Sequence, residues 1–249
     1  MNKFLLFSLM LSQTPAVLAA TSAENWAAEV SALTFRPGPP DRCGKPIVSI
    51  DESGDIYKNG ARLGASARDF KTSCSGDVAW SGGGGDIYKN AARIGDAVSR
   101  YDIAWRTGDV LWIDRAGDIY KNEARLGVGV NQSSLNGDTG TAIWIDDGGS
   151  IYRDAIRLGD AVVRYKTALR TGDVAWTDRA DSIYKNSGRL GDSAVQFEIN
   201  DDGTVVWLDA GRDLYKNEAR IGSGVISFSV ESDGRILWRD GDGQNHSGR

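Results

Sequence analysis

Short runs of apolar residues recur along most of the chain, and Gly, Asp and Asn separate them every few residues. In one unit the runs read VSRYDIAW, VLWID, DIYKN and RLG. Each run suits a short strand, and the residues between the runs favour tight turns. Beyond the first segment, no apolar period of 3.6 residues persists, so no amphipathic helix is expected. The pattern predicts an all-β fold of short antiparallel strands.

The same unit repeats at a fixed spacing. A Trp precedes most of the motif tyrosines by eight residues, an Arg follows each Tyr by five residues, and a Gly stands two residues beyond that Arg. The tyrosines are 31 or 32 residues apart: Tyr57, Tyr88, Tyr120, Tyr152, Tyr184 and Tyr215. Four strands with tight turns fill about 32 residues, and we label them a to d in each unit.

Both faces of each predicted sheet require cover, because neighbouring residues in VLWID and DIYKN are apolar. Stacked sheets of this kind form a β-propeller or a β-solenoid. Six complete units span residues 30–222, and residues 225–240 supply strands a and b of another. We therefore predict one β-propeller domain over residues 21–240, with seven blades (six as the alternative) and a flexible tail over residues 241–249. Residues 21–29 would add the outer strand that closes the ring.

The N-terminal segment has the features of a secretory signal peptide over residues 1–20, with an early Lys, an apolar run and small residues. We place cleavage after Ala19 or Ala20. The apolar run over residues 4–11 is too short to span a bilayer, which takes about 20 residues. These features predict a periplasmic or secreted protein with no transmembrane segment.

Two cysteines, Cys43 and Cys74, lie 31 residues apart in successive units. In an exported protein they are expected to form a disulfide that joins adjacent blades, with two unpaired thiols as the alternative. The proline-rich stretch RPGPPDRCGK, which contains Cys43, is expected to be a stiff surface loop.

The stretch FSVESDGRILWRD, taken with a following strand such as DIYKN, resembles the blades of the TolB-like and WD-like propeller repeats of bacterial exported proteins. In those repeats a DG turn precedes one strand and an IY strand follows. The resemblance implies a β-propeller. The repetition of aromatic blades is also similar in style to the tectonin and tachylectin-like lectin propellers.

The formal net charge of −5 disfavours nucleic acid as a partner, because binding to nucleic acid depends on clustered Lys and Arg.

Carboxylates recur as DxxGD at Asp51/Asp55, Asp114/Asp118 and Asp209/Asp213, with variants at Asp146/Ser150 and Asp178/Asp181. Such pairs suit a tight turn between strands b and c better than Ca²⁺, which takes six to eight oxygen ligands. We expect no metal and no cofactor. The repeated tryptophans are expected to pack between blades rather than to bind sugar.

The repeated basic residues are the candidate ligand contacts, together with Trp105, which falls outside the repeat. They are Lys58, Arg62, Lys89, Arg93, Lys121, Arg125, Arg153, Arg157, Lys185, Arg189, Lys216 and Arg220. Strand c has Asp at one end and Lys-Asn at the other, which predicts one acidic face and one basic face. The alternative is structural: Asn makes the turn, Arg pairs with Asp across the hairpin, and Lys keeps the edge soluble.

Catalysis has little support in the sequence. His246, the single histidine, lies in the polar tail, so neither a Ser-His-Asp triad nor a His-Cys metal site is expected. We therefore predict a monomeric, non-catalytic binding protein that recognises carbohydrate of a cell envelope through repeated sites. The alternative is a protein-interaction scaffold that uses Trp105, the proline-rich loop or residues 131–141, with an envelope protein as its partner.

Overall fold

The computed structural model describes residues 43–249, which form seven antiparallel sheets with no helix among them. Sheets 2 to 6 each have four strands, and sheets 1 and 7 have three. The prediction of an all-β propeller is confirmed, with seven blades rather than six. The predicted signal peptide, the closing strand at residues 21–29 and most of the proline-rich loop lie outside the described residues. Across residues 43–249, no helix has the length and hydropathy that a membrane crossing requires.

The strands follow one another in chain order within every sheet, so each blade is a simple antiparallel meander. The bounds are, for sheet 1, β1 Val48–Ile50, β2 Ile56–Lys58 and β3 Ala61–Gly64; for sheet 2, β4 Ala67–Thr72, β5 Val78–Gly82, β6 Ile87–Lys89 and β7 Ala92–Gly95; for sheet 3, β8 Val98–Ile103, β9 Val110–Asp114, β10 Ile119–Lys121 and β11 Ala124–Gly127; for sheet 4, β12 Val130–Leu135, β13 Ala142–Asp146, β14 Ile151–Arg153 and β15 Ile156–Gly159; for sheet 5, β16 Val162–Thr167, β17 Val174–Asp178, β18 Ile183–Lys185 and β19 Gly188–Gly191; for sheet 6, β20 Ala194–Ile199, β21 Val205–Asp209, β22 Leu214–Lys216 and β23 Ala219–Gly222; and for sheet 7, β24 Val225–Val230, β25 Ile236–Asp240 and β26 Asn245–Gly248.

The hydrophobic core lies between neighbouring sheets. One cluster, for example, joins Ala79 and Ile87 of sheet 2 to Val110 and Trp112 of sheet 3. Strand c of sheets 1 to 6 begins with a fully buried aliphatic residue: Ile56, Ile87, Ile119, Ile151, Ile183 and Leu214. Burying one such side chain contributes about 1.5–3 kcal/mol, so these positions hold successive blades together.

The repeated tryptophans belong to this core, as predicted. Trp112 is 3% exposed and stands opposite Tyr120 in the register of strands b and c. The two rings stack with centroids 4.1 Å apart and planes 8° from parallel. The same pair stacks in sheets 2, 4, 5 and 6 at 4.0–4.2 Å. These indoles are therefore packed scaffold rather than exposed platforms for sugar.

The Gly that follows each repeated Arg by two residues lies beneath the Trp of the next sheet. A methyl group on Gly127 would lie less than 3.0 Å from the Trp144 ring, a separation that packed side chains do not adopt. The same approach occurs at Gly64, Gly95, Gly159 and Gly191. The constant spacing between Arg and Gly in the six repeats thus follows from the distance at which two blades pack.

The disulfide between Cys43 and Cys74 is confirmed, with an S–S distance of 2.04 Å. Cys74 lies in the loop between β4 and β5, and Cys43 precedes β1. The bond therefore links the first two sheets, as the spacing predicted.

The prediction of a flexible tail over residues 241–249 is wrong, because residues 245–248 form β26 and pair with β25. His246 lies opposite Trp238, eight residues after it, where the other sheets have the motif Tyr. Its ring stacks on Trp238 at 5.5 Å, and its Nε2 lies 2.7 Å from Asp240 Oδ2. The polar composition concealed a third strand that keeps the register of the repeat.

Candidate functional site

The turns of each blade lie at two ends because its strands are antiparallel. We call the end with the a–b loops and c–d turns the c–d face. The end with the b–c turns and d–a connections is the b–c face. The repeated Lys and Asn belong to the first face, and the repeated Arg and DxxGD turns belong to the second.

The repeated Asn builds the c–d turn through its backbone conformation and three hydrogen bonds, as Asn122 illustrates. Its φ of 51° lies in the left-handed region, which Asn tolerates better than most residues. Its Oδ1 accepts a hydrogen bond from the Val110 N–H (3.0 Å), and its Nδ2 donates to Asp109 Oδ1 (2.9 Å). Its backbone carbonyl accepts from Trp112 Nε1 (2.7 Å). Positive φ recurs at Asn59, Asn90, Asp154, Asn186 and Asn217.

The repeated Lys residues lie between the turns of successive sheets and contact acceptors there. Lys121 Nζ is 3.1 Å from Asp154 Oδ1 of sheet 4 and 4.0 Å from Asp109 Oδ2 of its own sheet. The corresponding contacts are Lys58 to Asn90 (3.3 Å), Lys89 to Asp77 (3.8 Å), Arg153 to Asp173 (3.3 Å) and Lys185 to Asp173 (3.4 Å). Within residues 43–249, Lys216 has no ion pair.

The charge at Asp173 shows how these clusters are balanced. Burial alone raises the pKa of this carboxyl group, but the hydrogen bond from Asn186 and the charge of Lys185 outweigh burial. The pKa therefore lies below its ordinary value, and the carboxylate stays ionised opposite its cation.

The repeated Arg residues lie on the other face, where strand d returns beside the b–c turn. Each has a carboxylate partner: Arg62 with Asp55 (2.7 Å), Arg93 with Asp86 (2.7 Å), Arg125 with Asp118 (2.6 Å), Arg157 with Asp160, Arg189 with Asp192 and Arg220 with Asp213 (3.1 Å). In sheets 4 and 5 the b–c turn has Ser150 or Ser182 instead of Asp, and there the Arg pairs with an Asp of the d–a connection.

The prediction of one acidic and one basic face is therefore wrong. Strand d reverses direction, which brings each Arg back to the acidic turn, while Lys89, Lys121 and Lys185 contact carboxylates of the a–b loops at 3.4–4.0 Å. Both faces carry paired charges.

The DxxGD segments are turns, as predicted. Asp114 Oδ1 accepts hydrogen bonds from the N–H groups of Ala116 and Asp118, both at 2.9 Å, and Oδ2 accepts from the Tyr120 hydroxyl (3.4 Å). In sheet 5 the Asp178 carboxylate accepts a hydrogen bond from the N–H of Ser182, and Asp181 occupies the position of the turn Gly at a φ of 57°. Across the described range, no three potential metal-ligating residues cluster.

Trp105 lies in the a–b loop of sheet 3, on the c–d face, and is half-buried. The edge of its indole packs on Gly137 of sheet 4, and the Arg106 guanidinium lies 4.8 Å from its ring centroid. Its carbonyl accepts from the Cys74 N–H (2.5 Å). This aromatic residue therefore joins three successive a–b loops.

A groove of about 480 Å³ separates the c–d turns of sheets 2 and 3. Its polar sides are formed by Lys89, Asn90, Lys121, Asn122 and Glu123, and its apolar surface by Ala92, Ala124 and Ile94. This is where the structure brings two repeats of the predicted Lys positions together.

A second cavity, of about 390 Å³, was not predicted. It lies between sheets 2 and 3 and is lined by Arg68, Arg100, Arg115, Asp69 and Tyr101, among others. Burial, followed by the Asp69 charge, raises the pKa of the Tyr101 hydroxyl. These arginines stand at positions where the other repeats vary, so a search for repetition passes over them. The sequence does mark this part of the repeat as unusual, because four glycines at residues 82–85 replace the usual DxxG turn.

No protein-family model and no curated protein matches the chain. Among solved structures, it is similar to a eukaryotic initiation factor (9% identity, TM-score 0.43, covering 80% of this chain and 68% of that one). It is also similar to the WD40 β-propeller domain of Doa1 (10%, 0.27, 82% and 89%) and to Kluyveromyces lactis Hsv2 (12%, 0.33, 69% and 70%).

Proposed function

We propose that this protein is an exported, non-catalytic binding module that recognises carbohydrate of a cell envelope through its c–d face. The observation that carries the proposal is the groove between two c–d turns, lined by repeated Lys and Asn. Export agrees with the Cys43–Cys74 disulfide, since such bonds persist in oxidising compartments.

The paired charges of this face favour a ligand rich in hydroxyl groups over a polyanion. Lys121, Asn122 and Asp109 place donors and acceptors side by side, with the cation already opposite carboxylates. A sugar hydroxyl both donates and accepts hydrogen bonds, so it can join such a cluster without an unpaired charge. Ile94 and the two alanines give apolar surface for the C–H face of the sugar.

Repetition gives this face a further property. The Lys-Asn pair recurs in five sheets, and a glycan polymer presents its own repeated units. Several weak contacts on one polymer would give avidity without a strong individual site.

A protein partner is the second candidate function, and a different surface favours it. Val163, Val195 and Ile226 are each the second residue of strand a in sheets 5, 6 and 7, and they are 45%, 51% and 54% exposed. A row of exposed aliphatic residues on consecutive blades is typical of a protein contact. In this case the partner would be an envelope protein bound at the b–c face.

An array of envelope glycans, probed with the full chain, tests the carbohydrate proposal. The variant Ala124→Trp fills the groove from an exposed position and is expected to weaken binding at least tenfold by steric exclusion. Ala116→Trp, exposed at the b–c turn of the same sheet, is the matched control and should bind as wild type does.

The carbohydrate proposal fails if wild type binds no glycan at high protein concentration, or if both Trp variants bind equally well. Capture of one envelope protein that is lost in Val195→Asp, with no glycan binding, would establish the second candidate instead.

A further inference from the structure

The cavity between sheets 2 and 3 collects positive charge on an acidic protein. Four cationic side chains line it, Arg68, Lys71, Arg100 and Arg115, against the single carboxylate of Asp69. Lys71 is already paired with Asp102 (3.0 Å). Three arginines therefore remain to determine the charge of the cavity.

These three arginines differ from the arginines of the repeat because, across residues 43–249, they have no carboxylate partner within 4.0 Å. Arg100 makes a single long hydrogen bond, from Nη2 to Ser133 Oγ (3.4 Å). The guanidinium of Arg115 lies against the turn glycine Gly85, 3.2 Å from the position that a Cβ there would take. Unpaired guanidinium groups around a concave surface are a site for an anion.

Sheet 5 has an arginine, Arg164, at the position that matches Arg100, and the fold engages it differently. Arg164 has the register position of Arg100, and its guanidinium donates to the carbonyls of Val195 (3.1 Å) and Ala194 (3.2 Å). Arg100 makes no such backbone contact in the described structure. The scaffold therefore does not require its guanidinium at this position.

The size and lining of the cavity define the class of ligand. At about 390 Å³ it falls in the range of small-molecule sites, so it holds more than a bare ion. Arg presents planar, bidentate donors that match phosphate and sulfate oxygens. The Asp69 carboxylate accepts from the Ser81 hydroxyl and faces the same space, where it can also accept from a ligand hydroxyl.

We infer that this cavity binds a small hydroxylated molecule that bears a tetrahedral anionic group, a phosphate or a sulfate ester. The site lies apart from the c–d groove and does not depend on carbohydrate binding there. Arg68, Arg100 and Arg115 hold the anionic group, and Asp69 faces the hydroxylated part.

Calorimetry with glucose 6-phosphate, glucose 6-sulfate, inorganic phosphate and glucose tests the inference. Wild type is expected to bind at least one ester with one-to-one stoichiometry and to bind glucose far more weakly. The two esters distinguish phosphate from sulfate. Arg115→Gln should weaken ester binding about tenfold or more, because it removes charge-assisted hydrogen bonds.

Arg179→Gln is the matched control, since Arg179 occupies the turn position of Arg115 in sheet 5 and does not line the cavity. It removes the same charge and should leave ester affinity within about twofold of wild type. The triple variant R68Q/R100Q/R115Q should bind no ester, while a melting temperature close to that of wild type shows that it folds.

The inference is overturned if wild type binds neither ester, or if R115Q and R179Q lose affinity equally. Glycan binding on the array should persist in the triple variant, and ester binding should persist in A124W. Failure of one proposal can therefore be told from failure of the other.

Discussion

At the scale of single residues, the repeated positions are those that pack one blade against the next or form the turns between strands. The sequence was sufficient to predict the core Trp, the turn-forming Asn and the cross-hairpin Arg–Asp pair. It did not explain the Gly that follows each Arg by two residues, because that Gly packs against an indole from another sheet. The sequence of one hairpin does not show which residues of a neighbouring sheet it will contact.

Gly127 offers a direct test of this packing. Gly127→Ala should destabilise the fold by about 1–3 kcal/mol, because a methyl group would clash with the Trp144 ring. Gly188→Ala is the control: no contact there is closer than 3.5 Å, and four other sheets have Ala at this position. Urea unfolding should show the loss in the first variant alone, and equal stability of the two would refute this role of the glycine.

Gly82 is the one departure from the turn Asp. Asp51, Asp114, Asp146, Asp178, Asp209 and Asp240 hold the corresponding position in the other six sheets. In sheet 2, within the described residues, the N–H groups of Gly84 and Asp86 therefore lack the carboxylate acceptor that Asp114 provides in sheet 3.

Gly82→Asp should restore that acceptor and stabilise the protein by about 0.5–1.5 kcal/mol for each hydrogen bond regained. A Cβ on Gly82 would lie no closer than 3.4 Å to its neighbours, so the side chain can be accommodated. The measurement is the midpoint of urea unfolding, with Gly82→Asn as the comparison for charge. A lower midpoint for the Asp variant would contradict the expectation.

At the scale of elements, the sequence predicted strands a to d and their turns but missed β26. The strand lacks the apolar residue that marks strand c elsewhere, because Asn245 occupies the position at which other sheets bury Ile or Leu. The apolar pattern of the chain therefore ends before β26 does. Register would have found it, since His246 lies eight residues beyond Trp238.

Acid should destabilise the pairing of β26 with β25. The hydrogen bond from His246 lowers the pKa of the Asp240 carboxyl below its ordinary 3.8, and the N–H groups of Gln244 and Asp242 add to the effect. Because the folded pKa is the lower one, this stabilisation is present above about pH 4 and is lost as the pH falls through the folded pKa.

Hydrogen exchange of the β26 amides measures this effect. Exchange, corrected for its intrinsic dependence on pH, should accelerate below about pH 4 in wild type. Asp240→Asn should show fast exchange already at pH 6, without the acid transition. A wild-type strand that is equally protected at pH 3 and pH 6 would rule out the Asp240 contribution.

At the scale of the whole molecule, the repeat places similar turns on successive blades, and residues that deviate from the repeat create unique surfaces. Two of the predicted Lys positions do meet in a groove. The predicted basic face, however, carries cations paired with carboxylates. The sequence of one hairpin does not predict this pairing, because the partner of Lys121 is Asp154, which lies 33 residues away on the next blade. The arginine cavity escaped prediction for the same reason: its lining comes from two sheets.

The most direct test of the central claim is an NMR titration of the ¹⁵N-labelled protein with a neutral envelope oligosaccharide selected on the array. The proposal predicts that the side-chain amides of Asn90 and Asn122 shift together, with resonances of the b–c face unchanged. Shifts confined to the b–c face, or no shifts at saturating oligosaccharide, would contradict it.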